Sequence, residues 1–206
     1  NVTYTVYNDG AIHVDNSIDA SASELPLIPR IGMRMQLTND FVNAEYYGRG
    51  PWENYSDRKT TSFVDRYKTA IMDNVTKYVL PQENGHHVDT KWLALTHKSG
   101  KGLLFVTDDK FEFNVSNYLL ETVSNGEDLN NSKPVGTYPK NKHLNDYKAS
   151  DKVDLFIDCR MQGVGGNNSW GALPEAQYLV KPASTPVNYS FTMIPVNNLK
   201  ILDKIK

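Results

Sequence analysis

The sequence predicts an all-β chain built from large antiparallel sheets, and three observations carry that prediction. Apolar and polar residues alternate with period two along most of the chain, as strands with one buried face require. The alternating runs are rich in β-branched and aromatic residues and are separated by Gly, Pro, Asn and Asp, which suit strands and turns respectively. A helical pattern occurs in a single short stretch, residues 116–123, where Ser116 or Asn117 offers a cap and Leu119, Leu120 and Val123 share a face.

The elements follow in order. Residues 1–7 alternate from the first position, so the chain is expected to be cut from something longer, truncated on its N-terminal side. Residues 11–14 form the next candidate. Ile31, Met33, Met35 and Leu37 then alternate with Gly32, Arg34, Gln36 and Thr38. Further candidates are residues 41–47, 77–80, 91–96, 102–107, 111–115 and 177–180. Val153, Leu155 and Ile157 alternate with Asp154, Phe156 and Asp158, and Val187, Tyr189, Phe191 and Met193 with Asn188, Ser190 and Thr192. About a dozen strands of ordinary length favour a sandwich over a small barrel. Residues 124–152 are polar and read as a long surface connection. Residues 197–206 read as a loose tail. The whole of residues 1–206 is expected to be one domain.

Composition narrows the function classes. The 206 residues are 39% hydrophobic and 22% charged, with a formal net charge of -2, as in an ordinary globular chain. Acidic and basic residues are interspersed, so there is no basic surface to hold phosphates, and nucleic acid is excluded as a partner. No apolar run approaches the roughly 20 residues that span a bilayer, so no membrane partner is expected. Cys159 is the single cysteine. It has no disulfide partner within the chain and no zinc-ligand spacing, and reads as a small core residue.

Three segments look unlike strand filler. Residues 48–58 read Gly-Arg-Gly-Pro-Trp-Glu-Asn-Tyr-Ser-Asp-Arg. Arg58 is suited to pair with Glu53 or Asp57. The acidic residues are open to two readings, an acid pair for glycoside cleavage or an ion-paired knot that pins a loop. Residues 81–87 read Pro-Gln-Glu-Asn-Gly-His-His. Asn84-Gly85 is a turn signal, and the adjacent His86 and His87 point to opposite faces of an extended chain, a poor arrangement for clasping one metal ion. Residues 161–171 carry Gly163, Gly165 and Gly166 and end in Ser169-Trp170-Gly171. The glycine order is not a dinucleotide fingerprint. An indole on such a loop is either a flat platform for the C–H face of a sugar ring or a packed structural residue.

Taken together, Gly48–Arg58, the Pro-Gln-Glu-Asn-Gly of residues 81–85, and the Gly-Val-Gly-Gly-x-x-Ser-Trp of residues 163–170 resemble the small-chain domain of the large bacterial β-galactosidases of glycoside hydrolase family two. The resemblance runs from about Arg30 to Pro195, and the polar residues 124–147 depart from it. It implies the antiparallel supersandwich shared with galactose mutarotases, and a C-terminal place in a parent enzyme that hydrolyses terminal β-galactosides such as lactose with retention. It also implies that both catalytic glutamates and the magnesium ligands lie on a barrel domain outside this chain, so no catalytic residue, metal ligand or cofactor is expected here. Glu53 and Glu83 are then structural.

The residue that the resemblance assigns to the substrate is Trp170, with Asn168 as a weaker candidate that braces the loop. The implied partners are a β-galactoside or its galactose and glucose parts, and the remaining domains of the parent, which is expected to be a homo-oligomer. The compartment, bacterial cytoplasm or periplasm, is not assigned. Two other functions compete. One is a free-standing carbohydrate-binding module. The other is a mutarotase-like epimerase, suggested by fold analogy alone, which needs a histidine and a carboxylate converging on one sugar.

Overall fold

The computed structural model describes residues 1–79, 82–123, 146–168 and 170–204. Nine strands appear among them: β1 (Val2–Val6), β2 (Ile12–Ile18), β3 (Arg30–Thr38), β4 (Phe41–Gly50), β5 (Phe63–Ala70), β6 (His86–His97), β7 (Gly102–Ser116), β8 (Lys152–Met161) and β9 (Val187–Val196). All their pairings are antiparallel, and one path runs β1-β2-β9-β7-β6-β4-β5.

The second layer branches from β7. The first part of that strand pairs with β9, from Gly102↔Val196 to Val106↔Thr192. Its last part pairs with β8, from Glu112↔Asp158 to Ser116↔Asp154, and β8 in turn carries β3. One long strand therefore serves both layers, and the two layers close on a common core. Leu93 and Leu95 of β6, Phe105 and Phe113 of β7 and Leu155 of β8 belong to a single buried cluster. Met33, Met35 and Leu37 of β3 pack against it, as the period-two pattern predicts. The fold is an antiparallel β-sandwich.

The strands expected over residues 102–107 and 111–115 are joined as β7, and that over 91–96 extends back to His86 across register shifts between His87 and Trp92. Such bulges bend a strand and re-aim its side chains. Residues 77–79 and 177–180 are not strands; Ala176–Tyr178 is a 3-10 turn instead, and Leu80 lies outside the described residues. The strand that alternation misses is β5. It is an edge strand open on both faces over much of its length, with Phe63 74% exposed, so burial imposes no period on it. The short helix forms as one turn, Leu120–Val123, and Ser116 Oγ accepts the Tyr118 N–H at 3.0 Å. Of the polar connection expected over 124–152, residues 124–145 lie outside the described residues.

Residues 197–206 were expected to be loose. Residues Leu199–Lys204 instead form a 3-10 helix, and Leu202 is fully buried with Trp92, Ala94, Leu104 and Val196. Trp92 and Ala94 alternate with Leu93 and Leu95, so this second cluster covers the opposite face of β6. The central strand is thereby buried on both faces.

The outward face of β8 is also covered. Arg34 donates from Nε and Nη2 to the two oxygens of Asp154, both at 2.7 Å, and from Nη2 to Glu121 at 2.7 Å. The Arg30 and Arg34 guanidinium groups lie 4.2 and 5.2 Å from the Phe156 ring centroid, a cation–π arrangement. Arg30 also approaches the buried Asp158 at 3.1 Å. Cys159 on the same strand is half-buried and lies outside the buried core where the sequence puts it; burial raises its pKa, so it stays a thiol.

Candidate functional site

Residues 48–58 act as the hub to which the other two segments are tied. Asn54 is fully buried. Its side-chain amide donates to the Arg49 and Trp52 carbonyls at 3.0 and 2.9 Å, and its oxygen accepts the Val88 N–H at 2.9 Å. A buried amide with such partners fixes the loop path against β6. Tyr55 and Arg58 close a tight turn by mutual backbone hydrogen bonds. The Tyr55 ring is buried, stacks on His86 at 5.4 Å and lies under the Arg58 guanidinium.

Glu53 joins this hub to residues 82–87. One carboxylate oxygen accepts the Gly85 N–H at 2.7 Å; the other accepts from Arg58 at 2.5 Å and from the Tyr78 hydroxyl. Glu83 pairs with Arg30 at 3.0 Å and accepts from Asn114 at 3.1 Å. Both glutamates are thus engaged in holding loops. The two histidines diverge, as the extended backbone requires. His86 Nε2 meets Glu112 at 3.0 Å, whereas His87 Nε2 meets Asn74 at 2.9 Å and its Nδ1 faces the Arg49 carbonyl at 3.1 Å. Burial drives the His87 pKa down to about 3, so its ring is neutral. Among the described residues no group of three or more His, Cys, Asp or Glu side chains is placed to hold a metal ion.

Asp57 joins the hub to the glycine loop. Its two carboxylate oxygens accept the N–H groups of Val164 at 3.0 Å and Gly165 at 2.8 Å. The sequence left Asp57 as one of two possible partners for Arg58; the structure gives Arg58 to Glu53 and Asp57 to the loop. Gly163 permits this contact, because a Cβ there would lie 2.5 Å from the Asp57 carboxyl. Gly165 has φ +62 and turns the chain back towards residue 172.

The tip of the loop is closed by the Gly166 N–H donating to the Ala172 carbonyl at 2.8 Å. Asn168 Oδ1 accepts the Trp170 N–H at 2.9 Å, an Asx turn within the tip. Ser169 lies outside the described residues. Trp170 is 92% exposed, and Leu173 beside it is 71% exposed. Of the two readings that the sequence left open for Trp170, packing within this chain is not what the structure has. An indole on a braced loop presents apolar surface outwards, where it can meet a ligand or another protein domain.

The comparisons with known proteins agree with the motif reading. The family model described as the β-galactosidase small chain matches residues 1–193. The chain is 32% identical over 197 residues to a β-galactosidase of Priestia megaterium, covering 95% of this chain and 17% of that protein. It is 29% identical over 197 residues to a β-galactosidase of Streptococcus thermophilus, covering 95% and 18%, and 31% identical over 189 residues to one of Actinobacillus pleuropneumoniae, covering 91% and 16%. The chain therefore spans less than a fifth of the length of each of these relatives, and it belongs to the β-galactosidase small chain family.

Proposed function

We propose that the chain is the non-catalytic small-chain domain of a larger β-galactosidase of glycoside hydrolase family two, and that it lends Trp170 as a wall of the galactoside site. The observation that carries this reading is the exposure of Trp170 on a loop held by Asp57 at its base and Asn168 at its tip. A sugar ring offers one face of C–H groups that packs on an aromatic plane while its hydroxyls stay hydrated. Asn168 acts through the backbone, fixing where the Trp170 main chain sits.

The bond-breaking groups belong elsewhere in this reading. Retaining hydrolysis needs two carboxylates about 5 Å apart, one nucleophile and one acid/base. Glu53 and Glu83, the glutamates of the motifs, are taken up by Gly85, Tyr78, Arg58, Arg30 and Asn114. The catalytic pair and the magnesium of the parent are assigned to its barrel domain, and no step here runs through a metal. The other proposed partners are the remaining domains of the parent, in a homo-oligomer, and a β-galactoside such as lactose.

In the full-length enzyme, Trp170→Ala is expected to weaken substrate or glucose-acceptor binding by about 1–3 kcal/mol, the scale of a buried aromatic contact. Unchanged kinetics would remove the role. The chain alone is expected to turn over no nitrophenyl galactoside, and measurable turnover would place catalytic groups within it. Titration with galactose separates a lent wall from a carbohydrate-binding module, which would bind by itself at about millimolar or better. For the mutarotase alternative, the described histidine–carboxylate pairs are His86–Glu112, with His86 fully buried beneath Tyr55, and the more exposed His13–Asp15 and His97–Asp40; a mutarotation assay on glucose or galactose with this chain decides that reading.

A further inference from the structure

The site reading names Asp57 as a tie at the base of the loop but gives it no part in how the substrate binds. This residue makes two contacts with the loop from more than a hundred positions away in sequence. It sits in the turn closed by the Tyr55 and Arg58 backbones, and that turn is anchored by a buried ring on one side and a guanidinium on the other. Its carboxylate takes two successive loop N–H groups, one on each oxygen. Charge-assisted hydrogen bonds of this kind are the strong ones, and a two-point grip fixes orientation as well as distance.

The rest of the loop beyond Met161 is tied by backbone groups and by its own side chains. Its base is held by the Gly163 N–H donating to the Tyr178 carbonyl at 2.9 Å, and its tip by contacts internal to the loop. Among the described residues from Gly163 onwards, Asp57 is the side chain from outside the loop that takes its N–H groups, while Met161 N–H, at the end of β8, donates to Glu112 at 2.8 Å. Gly163 is the companion device, since any larger residue would push the carboxylate away.

We propose that Asp57 is a positioning residue for the sugar wall: its carboxylate sets the height and tilt of the glycine loop, and so the plane that Trp170 presents. This rests on the reading of Trp170 as that wall. The consequence is that substrate binding depends on a residue that need not touch the sugar, because a small displacement of a platform costs much of its contact.

The test has two arms. In the first, the 206-residue chain is labelled with 5-fluorotryptophan and followed by 19F NMR, with Trp170 assigned by Trp170→Phe. Asp57→Ala is expected to shift or broaden the Trp170 signal and leave the buried Trp92 signal in place, which reports an intact sandwich. Asp57→Asn, which keeps one acceptor oxygen for one of the two N–H groups, is expected to give an intermediate shift and provides the readout should the alanine variant misfold. An unmoved Trp170 signal in these variants overturns the proposal. In the second arm, Asp57→Ala in the full-length enzyme is expected to raise KM about tenfold with a smaller change in kcat. In a Trp170→Ala background the same change is expected to add almost nothing, since both act through one contact. Additive effects, or no effect of Asp57→Ala where Trp170→Ala has one, overturn the positioning role. If Trp170→Ala itself leaves the kinetics unchanged, the wall reading fails, while the fluorine spectrum still decides the clamp.

Discussion

Replacing Glu53 by alanine tests whether the three loop segments are held together as the structure has them. The Glu53 side chain is 6% exposed and accepts from Gly85, Tyr78 and Arg58. Removing it strands the buried Gly85 N–H, which costs about 1–3 kcal/mol. The Arg58 side chain is 49% exposed and regains water, so losing that pair adds only about 0–1 kcal/mol. The half-buried Tyr78 hydroxyl also turns to solvent at little cost. The expected loss is about 1–4 kcal/mol, set against the roughly 5–15 kcal/mol that stabilises a domain. At about 2–4 °C per kcal/mol for a chain this size, Tm falls by about 2–16 °C. Urea unfolding followed by tryptophan fluorescence measures this as a lower midpoint with an unchanged slope. Glu53→Gln keeps an acceptor for Gly85 and is expected to cost about 1 kcal/mol. An alanine variant within about 0.5 kcal/mol of wild type would refute the reasoning, because it would mean Gly85 does not depend on Glu53.

Three further outcomes follow from particular residues. Leu202→Ala is expected to destabilise the chain by about 2–5 kcal/mol, as for a fully buried leucine; a loose tail would give no change in the urea midpoint. Trp170→Ala is expected to leave stability within about 0.5 kcal/mol, since the indole is 92% exposed, and a large loss of Tm would mean that it packs within the chain. The pH dependence combines two opposed groups. His87 is driven down to about 3 by burial, so the unfolded chain binds that proton first and stability falls as pH drops from about 6.5 towards 3. Asp158 is pushed up to about 7 by burial, against the pull of Arg30. The folded state therefore keeps a proton that the unfolded state releases, and stability falls as pH rises from about 4 to 7. Asp158→Asn removes the second effect, so its urea midpoint is expected to rise more steeply than that of wild type between about pH 4.5 and 6.5. Equal slopes in the two proteins would sink the assignment.

The sequence by itself determined the class of fold and the segments that matter. Period two is a local property: Met33, Met35 and Leu37 announce a buried face whatever they pack against. The three motifs are local too, and their order carried the family resemblance that the comparisons bear out. The exposed tryptophan was legible as a candidate because glycines and small residues surround it, leaving it no helix or strand to pack from. What only the tertiary structure decided were relations between distant positions. Alternation does not reveal that β7 serves two layers, because both halves alternate alike and the partner is chosen by layer closure. It does not reveal β5, where an open edge leaves the pattern unconstrained, nor the docking of Leu202, which follows from β6 having a second apolar face to cover. Nor did it separate Glu53 from Asp57. Both are acidic residues close to Arg58, and only the folded chain brings Gly85 to one and the Val164 and Gly165 N–H groups to the other. Hydrogen bonds between loops depend on where backbones end up in space, and that is set by the packing of the whole sandwich.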